Sequence, residues 1–262
     1  LLAGCSGDSK IKPAELTPFT ATAELTERWH GSVGKAGDFV FTPAVVDNTV
    51  FAAARDGTLA RFDKGQEVWR TDAGSKLSGG VGADGRLVAV GTPKGEVLAY
   101  DAETGKQLWK ARVSSEVLAA PVVGEGLVVV RSGDSRITAL DAKDGNRRWV
   151  FQRATPTLTL RTNVGILLGQ RVVVAGFPGG KLIAINNQSG AQTWEVAVAV
   201  PKGATELERV TDLSSTPVVQ GRDICAAAFQ GRVACFDIAT GSMSWSRDVS
   251  SSAGIDMDEK RV

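Results

Sequence analysis

The chain has 262 residues and a net charge of +1, from 30 Lys and Arg set against 29 Asp and Glu. With no basic run or stripe, it lacks the electrostatic footprint of a nucleic-acid binder. A single histidine, His30, rules out a His-rich metal site.

The N-terminal residues Leu1-Leu2-Ala3-Gly4-Cys5-Ser6 resemble the lipobox of bacterial lipoproteins, in which the signal peptide is cut before Cys and that Cys is acylated. Residues 1–4 then read as a signal-peptide remnant and 5–22 as a polar, lipidated tether. Acyl chains on Cys5 would hold the protein to a membrane by burying many methylenes. Ser6, rather than Asp, implies by the same resemblance sorting to the outer membrane, with the globular part in the periplasm. No other stretch is apolar and long enough to span a bilayer.

From residue 23 onward the chain repeats. Trp29, Trp69, Trp109 and Trp149 are spaced 40 residues apart, and Trp194 and Trp245 complete the set. A fixed period in this range marks a repeat architecture. The later five tryptophans each close one phrase, as in Val97-Leu98-Ala99-Tyr100-Asp101-Ala102-Glu103-Thr104-Gly105 leading to Trp109. Ahead of each phrase lies an apolar run: Val50–Ala53, Leu87–Val90, Leu127–Val130, Val172–Ala175 and Ile224–Ala227. Pro-led stretches at Pro43, Pro121 and Pro217 precede some of these. Short β-branched runs bounded by Gly, Asp, Asn and Pro predict strands. Asp56-Gly57, Lys94-Gly95 and Gln230-Gly231 fit hairpin turns, and Asp101 to Gly105 fits the turn that follows.

Four strands in about 40 residues make the blade of a β-propeller, so residues 23–262 are predicted to form one all-β domain of four-stranded antiparallel blades. About five to six blades are present, and Asp258 to Val262 fall where another would start. A Trp recurring in every blade serves the blade, filling the gap to its neighbour with one flat ring.

Cys225 and Cys235 fall at repeat positions held elsewhere by Ala or Val, on strands that face each other. Two readings stand: small core residues, or a cross-strand disulfide in an oxidising compartment. No His-Glu-x-x-His, Gly-x-Ser-x-Gly or phosphate-loop motif occurs. The turn aspartates Asp63, Asp101, Asp141 and Asp237 all take the same repeat position. No catalytic, cofactor or metal site is predicted.

The period lengthens twice, to 45 residues between Trp149 and Trp194 and to 51 between Trp194 and Trp245. Repeat proteins commonly bind through such insertions. The first contains Leu158, Leu160 and Arg161, two leucines pointing the same way from an extended segment beside a planar donor fork. Apolar anchors with an Arg suit a protein-binding hot spot; packing of both leucines under a longer loop is the alternative.

The lipobox, the Ala-x-Asp-x-x-(Thr/Ser)-Gly-x-x-x-Trp phrases and the two long loops together resemble the BamB family, lipoproteins of the outer-membrane β-barrel assembly (BAM) machinery. The resemblance runs from Cys5 to the last residue. It implies an eight-bladed ring that is not an enzyme and that docks on the POTRA domains of BamA. The family's Leu-x-Leu-Arg segment matches Leu158, Leu160 and Arg161. Its Asp-x-Asp segment matches Asp212-Leu213-Ser214, where Ser214 replaces the second Asp. Propeller edges would offer unfolded barrel substrates a template for β-augmentation. Quinone-dependent dehydrogenases share the Trp-closed blade, but they resemble one another in an adjacent Cys-Cys pair that this chain lacks. Another periplasmic propeller lipoprotein with a different partner is the remaining alternative.

Overall fold

Alternating and continuous runs of Val, Ile, Leu and Ala form strands wherever a neighbour completes their hydrogen-bond ladder. The computed structural model describes residues 18, 20 and 24–262; Cys5, the segment 1–4 and most of the tether 5–22 lie outside the described residues. The chain divides into two units, Leu1–His30 and Gly31–Val262.

In the first unit the described residues form no strand, and His30 Nδ1 lies 3.2 Å from Glu27 Oε1. Trp29, one of the six tryptophans of the sequence period, therefore lies outside any strand of the described residues. The segment ahead of it contains none of the apolar runs that precede the other five tryptophans.

The second unit contains five blades. The first is β1 (Ala44–Val46), β2 (Thr49–Ala53), β3 (Thr58–Asp63) and β4 (Gln66–Asp72). The second is β5 (Gly82–Ala83), β6 (Leu87–Gly91), β7 (Glu96–Asp101) and β8 (Gln107–Arg112). The third is β9 (Val122–Gly124), β10 (Leu127–Arg131), β11 (Ile137–Asp141) and β12 (Arg147–Phe151). The fourth is β13 (Ile166–Leu168), β14 (Val172–Phe177), β15 (Lys181–Asn186) and β16 (Gln192–Ala197). The fifth is β17 (Val218–Gln220), β18 (Asp223–Ala227), β19 (Val233–Asp237) and β20 (Met243–Arg247). Each is a sheet in strand order, antiparallel throughout. Residues 248–262 add no strand to these.

From the second blade to the fifth the two middle strands are largely buried on both faces, which is why they read as continuous apolar runs, whereas those of the first blade are buried only in part. Their side chains form four clusters, each drawing on two successive blades. Ala89, Val97 and Trp109 of the second blade, for instance, meet Val128, Val130 and Leu140 of the third. The tryptophans latch these gaps. Trp69, Trp109, Trp149 and Trp194 donate their indole N–H to the carbonyls of Ala102, Ala142, Asn187 and Ile238 at 3.0, 2.9, 2.7 and 3.0 Å. Every acceptor lies in the turn phrase of the following blade, and the phrase glycine gives the ring its room. A Cβ on Gly145 would stand 2.6 Å from Trp109, and one on Gly190 2.9 Å from Trp149.

A bulge recurs in every blade where the third strand meets the Trp strand. Opposite the ring stands Ala99, Ala139, Ala184 or Cys235, with Arg61 as the exception. Cys235 also faces Cys225 directly across the ladder, and the two form a buried disulfide. Of the two readings of these cysteines, the structure contains the cross-link, in the repeat slots the sequence assigned them.

Candidate partner-binding face

Antiparallel blades place the inter-blade linkers and the turns between second and third strands at one end, and the remaining turns at the other. Both lengthened linkers, residues 152–165 and 198–217, therefore leave from the same end of adjacent blades.

Inner-strand register shows what the linkers share. Gly82, Val122, Leu167 and Val218 are equivalent, each pairing with the position that faces the bulge residue. At one fixed distance ahead of them stand Lys76-Leu77, Glu116-Val117, Arg161-Thr162 and Asp212-Leu213. Arg161 and Asp212 are thus the same repeat position in successive linkers, and the charges alternate in sign along the series.

Their environments differ. Arg161 is an open side chain, 70% exposed, with Nη2 3.3 Å from Glu116 Oε1. The Ser115 hydroxyl and the Glu116 backbone N–H, then the Arg161 cation, hold the Glu116 carboxyl below its ordinary range. Glu116 is fixed in turn, because its carbonyl accepts the Gly133 N–H at 2.8 Å. This single ion pair leaves most of the guanidinium in solvent, with donors free for a partner. Leu158 and Leu160 remain 41% and 36% exposed beside it. The structure leaves both leucines partly in solvent and does not pack them fully under the loop.

Asp212 was expected at the partner surface; the structure buries it to 3% exposure. Its Oδ2 accepts the Leu160 N–H at 2.6 Å and its Oδ1 the Gly179 N–H at 2.9 Å. Leu213 bridges to Ala228, the Asp212 carbonyl accepts the Phe229 N–H at 2.9 Å, and Thr216 Oγ1 accepts the Gly165 N–H at 3.0 Å. Ser214, in place of an aspartate, donates to the Ser251 carbonyl at 2.6 Å. The segment 212–216 therefore ties the first long linker to the turns of two blades.

Farther out, the second linker is ordered by a capping box. Glu208 Oε2 accepts the Ala204 and Thr205 N–H groups at 2.8 and 3.0 Å, and the Glu208 N–H donates to Thr205 Oγ1 at 3.2 Å. Leu207, 72% exposed, rides on this turn.

Two residues that motif reading passes over belong to this face. Glu116 is legible only once the linkers are aligned by register. Arg131 closes β10, with its guanidinium 5.4 Å from the Phe177 ring centre and Nη1 hydrogen-bonded to the Gly176 carbonyl. Burial pulls its pKa down to about 10, against the opposing pull of the Asp212 carboxylate. Among the described residues, no group of three or more His, Cys, Asp or Glu is placed to hold a metal ion.

Four-stranded blades latched by Trp, with two tied linkers presenting apolar and cationic side chains at one end, define a repeat β-propeller elaborated by long loops at that end. Residues 55–262 match the family model described as outer membrane protein assembly factor BamB. The BamB of Bordetella pertussis is 45% identical over 99% of this chain, and that of Burkholderia pseudomallei is 41% identical over the whole of it. The chain belongs to the BamB family. It spans 69% and 70% of the length of those two relatives, and 62% of that from Nitrosomonas eutropha. The crystal structure of BamB from Moraxella catarrhalis superimposes with a TM-score of 0.76 at 27% identity, covering 84% of this chain and 69% of that one. A quinohemoprotein alcohol dehydrogenase from Pseudomonas putida shares the fold, with a TM-score of 0.65 at 18% identity over 85% of this chain and 43% of that one.

Proposed function

We propose that this protein is a non-enzymatic scaffold lipoprotein of the BAM complex, binding BamA POTRA domains and assisting the folding and insertion of outer-membrane β-barrel proteins. Acylated Cys5 anchors it in the outer membrane, and the propeller faces the periplasm. Family membership supports the assembly role, and a buried disulfide suits an oxidising compartment.

One observation carries the docking site. Leu158, Leu160 and Arg161 stand out from a linker whose backbone is bound from below by a buried carboxylate. An apolar patch on a backbone already tied in place loses little main-chain freedom on binding, and the exposed guanidinium beside it adds a cationic donor. It suits a partner with an apolar groove and an acidic group near it. The dehydrogenase reading rests on the shared fold alone, and fold does not assign chemistry.

The test is titration of purified POTRA domains with protein carrying Cys5→Ser, comparing wild type with a Leu158→Ala/Leu160→Ala/Arg161→Ala variant of matched thermal stability. The proposal expects binding to weaken at least about 100-fold, in line with the loss of two or three hot-spot side chains. Unchanged affinity would place the site elsewhere.

A further inference from the structure

Register exposes an exception in the third blade. Ala53, Gly91, Gly176 and Ala227 occupy one repeat slot in the second strands of four blades, and in the other blade that slot is Arg131. The small residue has a purpose. A Cβ on Gly91 would stand 2.3 Å from Val117, and one on Gly176 2.7 Å from Leu213. In those gaps the linker residue after the charged position is an apolar plug, and Leu77, Val117 and Leu213 are all buried. At the third gap both halves change together: the plug is Thr162 and the small residue is Arg131. The space is then occupied from the blade side, by a side chain that reaches the Gly176 carbonyl and stacks on Phe177. A water-sized notch remains, lined by Arg131, Ser132, Leu160, Arg161 and Thr162.

With Thr162 at the plug position, the apolar hold on this linker moves two residues along to the buried Val164. The stretch ahead of Thr162, which carries Leu158, Leu160 and Arg161, is held by the Asp212 carboxylate at the Leu160 N–H. Arg131 and Asp212 also grip one stretch of the fourth blade from its two ends, at the Gly176 carbonyl and the Gly179 N–H. We propose that Arg131 is a positioning residue which, together with Asp212, sets the conformation of the linker carrying Leu158, Leu160 and Arg161. Asp212 then acts on the partner through that linker, without touching it. The proposal rests on the docking role given above.

Restoring the ordinary pair provides the test. The Arg131→Gly/Thr162→Leu variant recreates the slot and plug of the neighbouring gaps. Its melting temperature is expected at or above wild type, while POTRA affinity falls about tenfold or more, the size of coupling typical of residues in contact. Asp212→Asn keeps the shape but only one acceptor oxygen, so hydrogen exchange at the Leu160 amide should speed up about tenfold as binding weakens. Wild-type affinity in the restored variant would overturn the proposal. So would loss of binding in Asp212→Asn without faster exchange, because Asp212 would then touch the partner itself. If the restored variant fails to fold, Arg131→Lys, which keeps the charge but loses the fork, must show the same faster exchange or the proposal falls. Unchanged binding by the Leu158/Leu160/Arg161 variant would sink the docking role instead, and loop exchange would still judge the positioning pair.

Discussion

Gly126→Ala and Gly145→Ala probe the blade latch with an internal control. Both glycines lie in turns of the third blade, at φ 75° and 74°. An alanine there carries the same left-handed strain, about 1–2 kcal/mol. Their surroundings differ. A Cβ on Gly126 meets nothing within 4 Å, whereas one on Gly145 falls 2.6 Å from Trp109 Cε3 and 2.8 Å from Cδ2. That ring is 8% exposed and fixed by its bond to the Ala142 carbonyl, so it cannot swing aside without losing a donor–acceptor pair. Overpacking of this kind costs about 1–3 kcal/mol more. In a protein of this size the two variants should melt about 2–12 °C apart, with Gly145→Ala the lower. Differential scanning calorimetry at one scan rate reads the difference. Equal melting temperatures would refute the claim that the phrase glycine exists to seat the preceding blade's Trp.

Three further outcomes follow from the same geometry. Trp149→Phe keeps most of the ring but removes the N–H that satisfies the buried Asn187 carbonyl, so stability should fall by about 1–3 kcal/mol in a urea titration. The turn carboxyls Asp101, Asp141 and Asp237 have folded pKa values below ordinary, held down chiefly by Thr104, by the Lys143 N–H and by Arg222 respectively. Their contribution is complete above about pH 4 and lost as pH falls through the lowered values, so the melting temperature should stay level near neutrality and drop below about pH 4. Asn186 makes the same turn in the fourth blade without a titrating group, and a triple Asp→Asn variant should flatten that acid limb. Replacing Cys225 and Cys235 together by Ala opens a cross-link of separation 10 and should cost about 2–4 kcal/mol, while alkylation of the denatured, unreduced wild type should leave both cysteines unlabelled.

The blades were legible in the sequence because they repeat the same physical demand: a bulky ring, a small residue facing it in all but the first blade, and a glycine beneath the preceding blade's ring. Strand faces followed from the apolar runs, and the cysteine pairing was available as one of two readings because the repeat frame set the residues opposite each other. Trp29 shows the limit of periodicity, since it keeps the interval but follows no apolar run and lies outside any strand of the described residues. The candidate face at the linker end was only half legible. Leu158, Leu160 and Arg161 stand out as an extended apolar and cationic segment. The inserted residues lie ahead of the shared linker position, however, and so hide the equivalence of Arg161 with Asp212. The burial of Asp212 depends on backbone donors 33 and 52 residues away, which no local pattern reveals. Arg131 is conspicuous only after register shows that its slot belongs to Ala and Gly.

The central claim is that one end of the propeller, through the Leu158–Arg161 linker, meets the POTRA domains. Photo-crosslinking in cells tests it most directly, with the reactive residue placed at Leu158 or, on the opposite end, at Lys143. The account predicts a BamA adduct mapping to the POTRA domains from position 158 and none from 143. Adducts from 143 alone, or from neither position while the protein remains in the complex, would contradict it.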